Sequence, residues 1–571
     1  MRISAPSRAV AVRDTTVRAQ AVARGANARQ NARPQASQGG TRVEVRSPER
    51  AELATGRASR RARWAAVLAI TAVFATGCAY ARQVSQPDAT AQNGTYGRVA
   101  VSADGRFVAY ASERERTSPS GFGVHVLDAS LNTRELVSVS SAEEPAEDWS
   151  GEPAISADGR YVAFESDADN LVPNDGNGST DIFVRDRVAG TTTRVSTDAS
   201  GTEADDNSYN PSISADGRYV AFTTDSDSLR PDDANGASDV YVKDRQTGAV
   251  ILASISGVGQ TDFGAWDGVI SGNGRYVAFT TDTPLVAADE NWDDDVYIRN
   301  IVANTTAWVS RPKVGNPEGG GGESPSISSD GRVVAFSSSS ADLDNAPADA
   351  NGSDVFVRDL NAGVTTRVSV APGGGLLPAP SFNPVISADG TRVAFTSQAN
   401  ASGTDTNGGI TDLYVRDLVR ARTALVSTDP GLEQTSSGVF SGTISGDGRY
   451  GLWSSPGKYH ADDKNAVADV YFRFVDVPHI TSITPSTVAR GASINITITG
   501  DTFLTSAQSF AVDGLAVSNV AVVSDNTITA KVTAAANLAP GTYPLFVTNL
   551  GTGPGPNSGA TDRCDGCIRV T

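Results

Sequence analysis

Residues 153–197 read PAISADGRYVAFESDADNLVPNDGNGSTDIFVRDRVAGTTTRVST. Four stretches in this run are rich in β-branched and aromatic residues: PAIS (153–156), RYVAFES (160–166), DIFVRD (181–186) and TTRVST (192–197). Bounded by Gly, Asp and Asn, they read as strands. Asp158-Gly159 supplies a tight hairpin turn between the first two, and Ala189-Gly190 turns the third into the fourth. Pro153 opens the first strand, where a missing N–H is tolerated. The second-to-third and fourth-to-first connections are long.

The unit recurs. S-x-D-G-R followed by an apolar strand begins at Ser102, Ser156, Ser214, Ser271, Ser328, Ser387 and Ser445, at intervals of 54, 58, 57, 57, 59 and 58 residues. Asn273 replaces the Asp in one copy and Thr391 the Arg in another. Seven four-stranded antiparallel units predict an all-β, seven-bladed β-propeller over residues 79–477. The seventh unit has TISG, YGLWSS and DVYFRF but no fourth strand before Pro478. Arg82-Gln83-Val84-Ser85 aligns with Thr193-Arg194-Val195-Ser196, so residues 82–86 are expected to be the outer strand of the last blade and to remove an open sheet edge. The S-x-D-G-R-x-V-A-F and D-V-Y-V-R-D segments resemble the TolB-like (WD-repeat-like) propeller family over residues 82–476. That resemblance implies a fold and leaves function open.

After Pro478 the repeat stops. Ile494, Ile496 and Ile498 alternate with Asn495, Thr497 and Thr499, a half-buried strand, and GTYPLFVTN (541–549) is a later one. Through Pro485, Gly491, Gly500, Phe503 and the closing G-T-Y-x-x-x-V-T-N, residues 478–571 resemble an IPT/TIG domain. The resemblance implies an immunoglobulin-like β-sandwich used as a spacer or interaction module. Within it, Cys564-Asp565-Gly566-Cys567 has redox spacing but no thioredoxin-like βαβ context. A local structural disulfide between Cys564 and Cys567 is expected, with free thiols, redox catalysis and metal binding as alternatives.

The other cysteine, Cys78, follows WAAVLAITAVFAT (64–76), an uncharged run preceded by Arg57, Arg60, Arg61 and Arg63. A basic flank and a short apolar run describe a signal peptide over 56–78, too short to span a bilayer as a permanent helix. Ala75-Thr76-Gly77-Cys78 resembles a bacterial lipobox, which implies lipidation of Cys78 and an exported, membrane-anchored envelope protein. Cleavage after Ala79-Tyr80-Ala81 would instead release a secreted one. Residues 1–55, rich in Arg, Ala and Gln, read as disorder or as a misassigned start, Met1 being the only methionine.

Residues 1–77 hold 14 Arg and 4 acidic residues, which leaves 33 basic against 61 acidic residues beyond them. Such a surface repels phosphate backbones, so no nucleic-acid partner is expected. Three histidines, His125, His460 and His479, leave little scope for imidazole chemistry. No G-x-S-x-G elbow occurs, so the hydrolase domain that accompanies propellers in prolyl-oligopeptidase-like enzymes is not expected within these residues. The S-x-D-G-R turns lack the residue between Asp and Gly found in sialidase Asp boxes and read as hairpin chemistry. Asp and Glu are too numerous to single out a glycosidase pair, which leaves one open.

The long second-to-third loops carry D-x-N-(G)-x-x-D: Asp175-Asn177-Asp181, Asp233-Asn235-Asp239 and Asp289-Asn291-Asp295, with variants at Asp349-Asn351-Asp354, Asp405-Asn407-Asp412 and Asp463-Asn465-Asp469. Alternating oxygens followed by Gly fit calcium. Side chains folding the loop onto its own backbone are the expected reading, with calcium as the alternative. Arg185, Lys243, Arg299, Arg358, Arg416 and Arg473 on third strands are expected to pair neighbouring blades. Strand direction puts the tight turns and Cys78 on one face and the long loops on the other, away from the membrane. Function is therefore expected on the long-loop face: a non-enzymatic, monomeric binding or scaffold protein for an envelope protein or a glycan, with no cofactor required. The alternatives are a polysaccharide-acting hydrolase or lyase, with Trp149, Trp266 and Trp292 as its loop aromatics, and a structural surface spacer.

Overall fold

The computed structural model of the protein describes residues 82–84, 95–113, 122–257, 259–261, 263–313, 319–344, 352–371, 374–402, 405–428, 435–459, 467–476, 478–501, 503, 508–524, 526–550 and 559–571. The signal segment and Cys78 lie outside them. Among the described residues the fold is almost wholly β, with one short 3₁₀ turn at Asp227–Leu229, and no helix is long and apolar enough to cross a membrane.

Seven four-stranded antiparallel sheets come first, six of them with their strands in chain order. The second consists of Ser150–Ile155, Tyr161–Ser166, Asp181–Asp186 and Thr191–Arg194. Its first strand begins three residues before Pro153, because pairing resumes beyond a bulge between Gly151 and Ala154. The seventh sheet takes its outer strand from the other end of the chain: Arg82 pairs with Phe472 and Gln83 with Tyr471, and Val84 N donates to Val470 O at 2.7 Å. Residues 85 and 86 fall outside the described set.

The S-x-D-G-R motif builds both the hairpin and the ring. In the second sheet, Ser156 Oγ donates to Asp158 Oδ1 (2.7 Å) and accepts from Tyr161 N (2.9 Å), while Asp158 Oδ1 also takes Arg160 N. The same serine bonds recur in every other copy, with Asn273 standing in for Asp. Successive turns are then stitched together. Ala103 N donates to Ala157 O, Ala157 N to Ala215 O, Ala215 N to Gly272 O, Asn273 N to Ser329 O, Ser329 N to Ala388 O, Ala388 N to Gly446 O, and Asp447 N back to Ala103 O, at 2.7–3.0 Å. The circle closes.

A second circle runs through the glycines. Phe107 packs on Gly159, Tyr161 on Gly217, Tyr219 on Gly274, Tyr276 on Gly331, Val333 on Gly390, Arg392 on Gly448 and Tyr450 on Gly105. Gly159 has φ +73°, and a Cβ there would lie 2.2 Å from the Phe107 ring, so both backbone and space demand glycine. Apolar faces fill the gaps between sheets: Ala163, Ile182 and Val184 meet Val220, Phe222 and Tyr241.

The C-terminal part is a sandwich of two four-stranded sheets. One contains His479–Thr484, Ser493–Asp501, Thr527–Thr533 and Ala516–Ser524; the other contains Thr487–Val488, Gly559–Val570, Gly541–Leu550 and Gln508–Val512. Ile496 and Ile498 point into its core with Ile528, Val532, Leu545 and Val547. Cys564 and Cys567 form a disulfide within its last strand, Cα atoms 5.6 Å apart. Asn549 Nδ2 donates to Asp476 O at 2.8 Å, linking sandwich to propeller.

Candidate functional site

The acidic loops fold onto themselves. In each complete copy the Asn amide ties the loop to the next fourth-to-first connection: Asn177 to Ala204 O, Asn235 to Thr261 O, Asn291 to Gly319 O and Asn407 to Thr435 O, at 2.9–3.1 Å. The last Asp of the motif accepts a serine hydroxyl from the end of the fourth strand: Ser196 to Asp181, Ser254 to Asp239, Ser310 to Asp295, Ser369 to Asp354 and Ser427 to Asp412. The same hydroxyl accepts the backbone N–H of the residue after that Asp. Asp349, Asn351, Asp463 and Asn465 lie outside the described residues.

The buried carboxylates of these loops are satisfied in one of two ways. In the second sheet, Arg194 Nη1 lies 2.9 Å from Asp175, 3.2 Å from Asp181 and 2.6 Å from Glu203; the residue facing Arg194 across the strands is Phe183. The fifth sheet repeats this with Arg367, which binds Asp344 and Asp354 opposite Phe356. Where the third strand carries Tyr instead, its hydroxyl donates to the first Asp: Tyr241 to Asp233, Tyr297 to Asp289 and Tyr414 to Asp405. The facing residues are then Leu252, Trp308 and Leu425. Burial pushes Asp175 and Asp239 up to about 6 and Asp295 up to about 7, and raises Asp181 and Asp289. The convergence of Asp175, Asp181 and Glu203 has the spacing of a metal site, with the Arg194 guanidinium inside it.

The third-strand cations divide. Arg185 reaches Ser140 O and Glu143, and Lys243 reaches Thr197 and Asp198, each in the connection that leads in from the preceding sheet. Arg299, Arg358 and Arg416 bond hydroxyls of their own sheets, Thr306, Thr365 and Thr423. His125 is held inside the first sheet, stacked on Tyr110 with Nδ1 3.1 Å from Ser112 Oγ. His460 and the His479 side chain lie outside the described set.

A different cluster emerges around the axis. The first strands of neighbouring sheets pack on one another all the way round, so their starts ring the axis on the long-loop face. Glu152, Asn210, Asp267, Ser324 and Asn383 occupy the same bulge in five sheets, all at φ +43° to +55°, with Gly97 in the first. Immediately before each stands Gly151, Tyr209, Trp266, Glu323 or Phe382, and before Gly97 stands Tyr96. Gly151 lacks a ring of its own, but a Cβ there would lie 2.4 Å from the Trp149 indole, which covers the position. Trp266 therefore belongs to a first strand, not to a loop. Trp292 does lie in a loop, 60% exposed and edge-on to the exposed Phe263.

Two of these bulge residues, Glu152 and Asp267, are acidic, and one cation stands near them. Arg98 Nη1 reaches Pro211 O at 3.3 Å, crossing from the first sheet to the third, and its backbone N donates to Glu152 Oε2 at 3.3 Å. Glu165 stands where the third, fourth and sixth sheets have Thr223, Thr280 and Thr396. Its Oε2 accepts Asn210 N at 3.0 Å, and burial pushes it up to about 7. Burial also raises Asp267, which Arg98 opposes. Sequence reasoning passed over Glu165, although a Glu in the Y-V-A-F-E-S slot that other copies fill with Thr, Ser or, once, Ala111 was a visible departure.

None of the curated proteins matches the chain. Among solved structures it is similar to an acylaminoacyl peptidase in complex with Z-Gly-Gly-Phe-chloromethyl ketone, at 12% identity and TM-score 0.40 over 72% of this chain and 59% of that one. It is similar to a GH74 xyloglucanase from Xanthomonas campestris, at 11% identity and TM-score 0.37 over 74% and 59%. It is also similar to the WD40 repeats of RRP9, at 11% identity and TM-score 0.37 over 69% and 98%. The chain thus spans less than two thirds of the peptidase and of the xyloglucanase. At the C-terminal end, residues 478–562 match the IPT/TIG domain family: the propeller is followed by an IPT/TIG domain.

Proposed function

We propose that this protein is a non-enzymatic binding protein that holds a glycan at the axial mouth of its long-loop face. The observation that carries this is the collar of Trp149, Tyr209, Trp266 and Phe382, each at least partly exposed, around a polar wall. Flat apolar rings beside hydrogen-bonding groups suit sugar rings, whose faces are apolar and whose rims are hydroxylated. Isothermal titration against a panel of neutral and charged oligosaccharides tests it. Trp266→Ala is expected to weaken the best ligand about tenfold, or ~1.4 kcal/mol. A panel with no binder sinks the reading.

The D-x-N-x-D loops are, in this reading, internal clasps that need no metal. Their carboxylates already have Arg, Tyr, Ser and Asn partners, so the melting temperature is expected to be the same with excess calcium and with chelator. Export, a lipid anchor at Cys78 and a long-loop face turned away from the membrane complete the proposal. A second reading, a polysaccharide hydrolase or lyase, draws on Glu165, a buried carboxyl poised near neutrality beside the aromatics. It requires that the bound oligosaccharide be cleaved and that Glu165→Gln stop the cleavage.

A further inference from the structure

Resting on the glycan reading, we propose that the axial mouth selects a sugar carrying a free, protonated amine. Glu152 acts on Glu165, and Arg98 is the one cation that acts on both Glu165 and Asp267. Glu165 is only 7% exposed. One of its oxygens accepts Asn210 N; the other receives no hydrogen bond from the described residues. Among the described residues, none donates a hydrogen bond to the half-buried Asp267 carboxylate. Thr223 lies on the strand face it shares with Ala221, the face packed on the fourth sheet that carries Asp267. Its hydroxyl and that of Thr280 are fully buried and unpartnered.

Three carboxylates, Glu152, Glu165 and Asp267, stand against the single guanidinium of Arg98 and offer acceptor oxygens only. A neutral hydroxyl would supply a donor and leave the charge deficit, whereas an ammonium supplies three N–H donors and a unit charge. The aromatic collar adds cation–π attraction to the same group. An N-acetylated sugar has one amide N–H and no charge, so acetylation removes what the wall selects.

Titration of the full chain at neutral pH with a β-1,4-linked glucosamine tetramer, its fully N-acetylated counterpart and tetralysine tests this. The glucosamine tetramer is expected to bind at least tenfold more tightly than the acetylated one. Asp267→Asn, which keeps a residue tolerant of the left-handed backbone, and Glu165→Thr, the residue of the neighbouring sheets, should each abolish that preference while the melting temperature is kept. Equal binding of the two sugars overturns the amine inference and leaves the glycan reading standing. Binding of tetralysine alone, or of nothing, overturns both.

Discussion

At the residue scale, one glycine in each hairpin turn answers to two demands that can be separated. Gly159 combines φ +73° with a Phe107 ring where a Cβ would go; Gly178 has φ +66° and nothing within 4 Å. Gly178→Ala meets backbone cost alone, about 1–2 kcal/mol. Gly159→Ala adds overpacking and is expected to cost roughly 2–4 kcal/mol. Chemical denaturation of the two variants checks this, and equal losses would remove the packing term. The turn itself was legible in the letters S-x-D-G-R, because its chemistry is local. The ring's approach to the neighbouring turn was not, since no spacing within one repeat encodes contact with the next.

Between Phe183 and Arg194, and between Tyr241 and Leu252, the elements show two solutions to one problem, the buried loop carboxylate. Either a fourth-strand Arg neutralises it opposite a Phe, or a third-strand Tyr donates to it opposite an apolar residue. Arg194→Leu alone leaves Asp175, Asp181 and Glu203 uncompensated and is expected to cost about 3–5 kcal/mol. Adding Phe183→Tyr converts the second sheet to the solution of the third and should recover at least about 1 kcal/mol. A double-mutant cycle measures the coupling, and additivity within about 0.5 kcal/mol would mean the exchange is accidental. The D-x-N-x-D pattern was visible in the sequence with both of its explanations. What chooses between them sits at an Arg or Tyr several residues away on another strand. The axial cluster was harder still, since Glu152, Asn210 and Asp267 share a bulge that only the paired register reveals.

Over the whole molecule, the displaced carboxyls set a pH window. Asp175 and Asp239 at about 6, and Asp295 and Glu165 at about 7, are raised by burial. Their contribution to stability is complete below about pH 4, the ordinary carboxylate range, and is lost as pH rises through 6 to 7. Asp186 is held at about 2 by Arg160; Arg218 likewise lowers Asp244, and in Asp128 bonds from Arg106 and Ser130 outweigh burial. Those contributions are present above about pH 4 and lost as pH falls toward 2. Calorimetry across pH 2–9 should place the highest melting temperature between about 4 and 6, and a maximum at 8 or above would contradict the balance. The number of sheets and the strand that completes the last of them were readable, because periodicity survives without coordinates. That completing strand has a cost during synthesis. Until Arg82–Gln83 docks, the backbone of Asp469–Phe474 is bare on one side, and the partner it awaits lies almost a whole propeller away in the chain. The corresponding stretch of a second copy satisfies the same hydrogen bonds, so crowded or hurried refolding should yield reciprocally exchanged pairs before it yields shapeless aggregate.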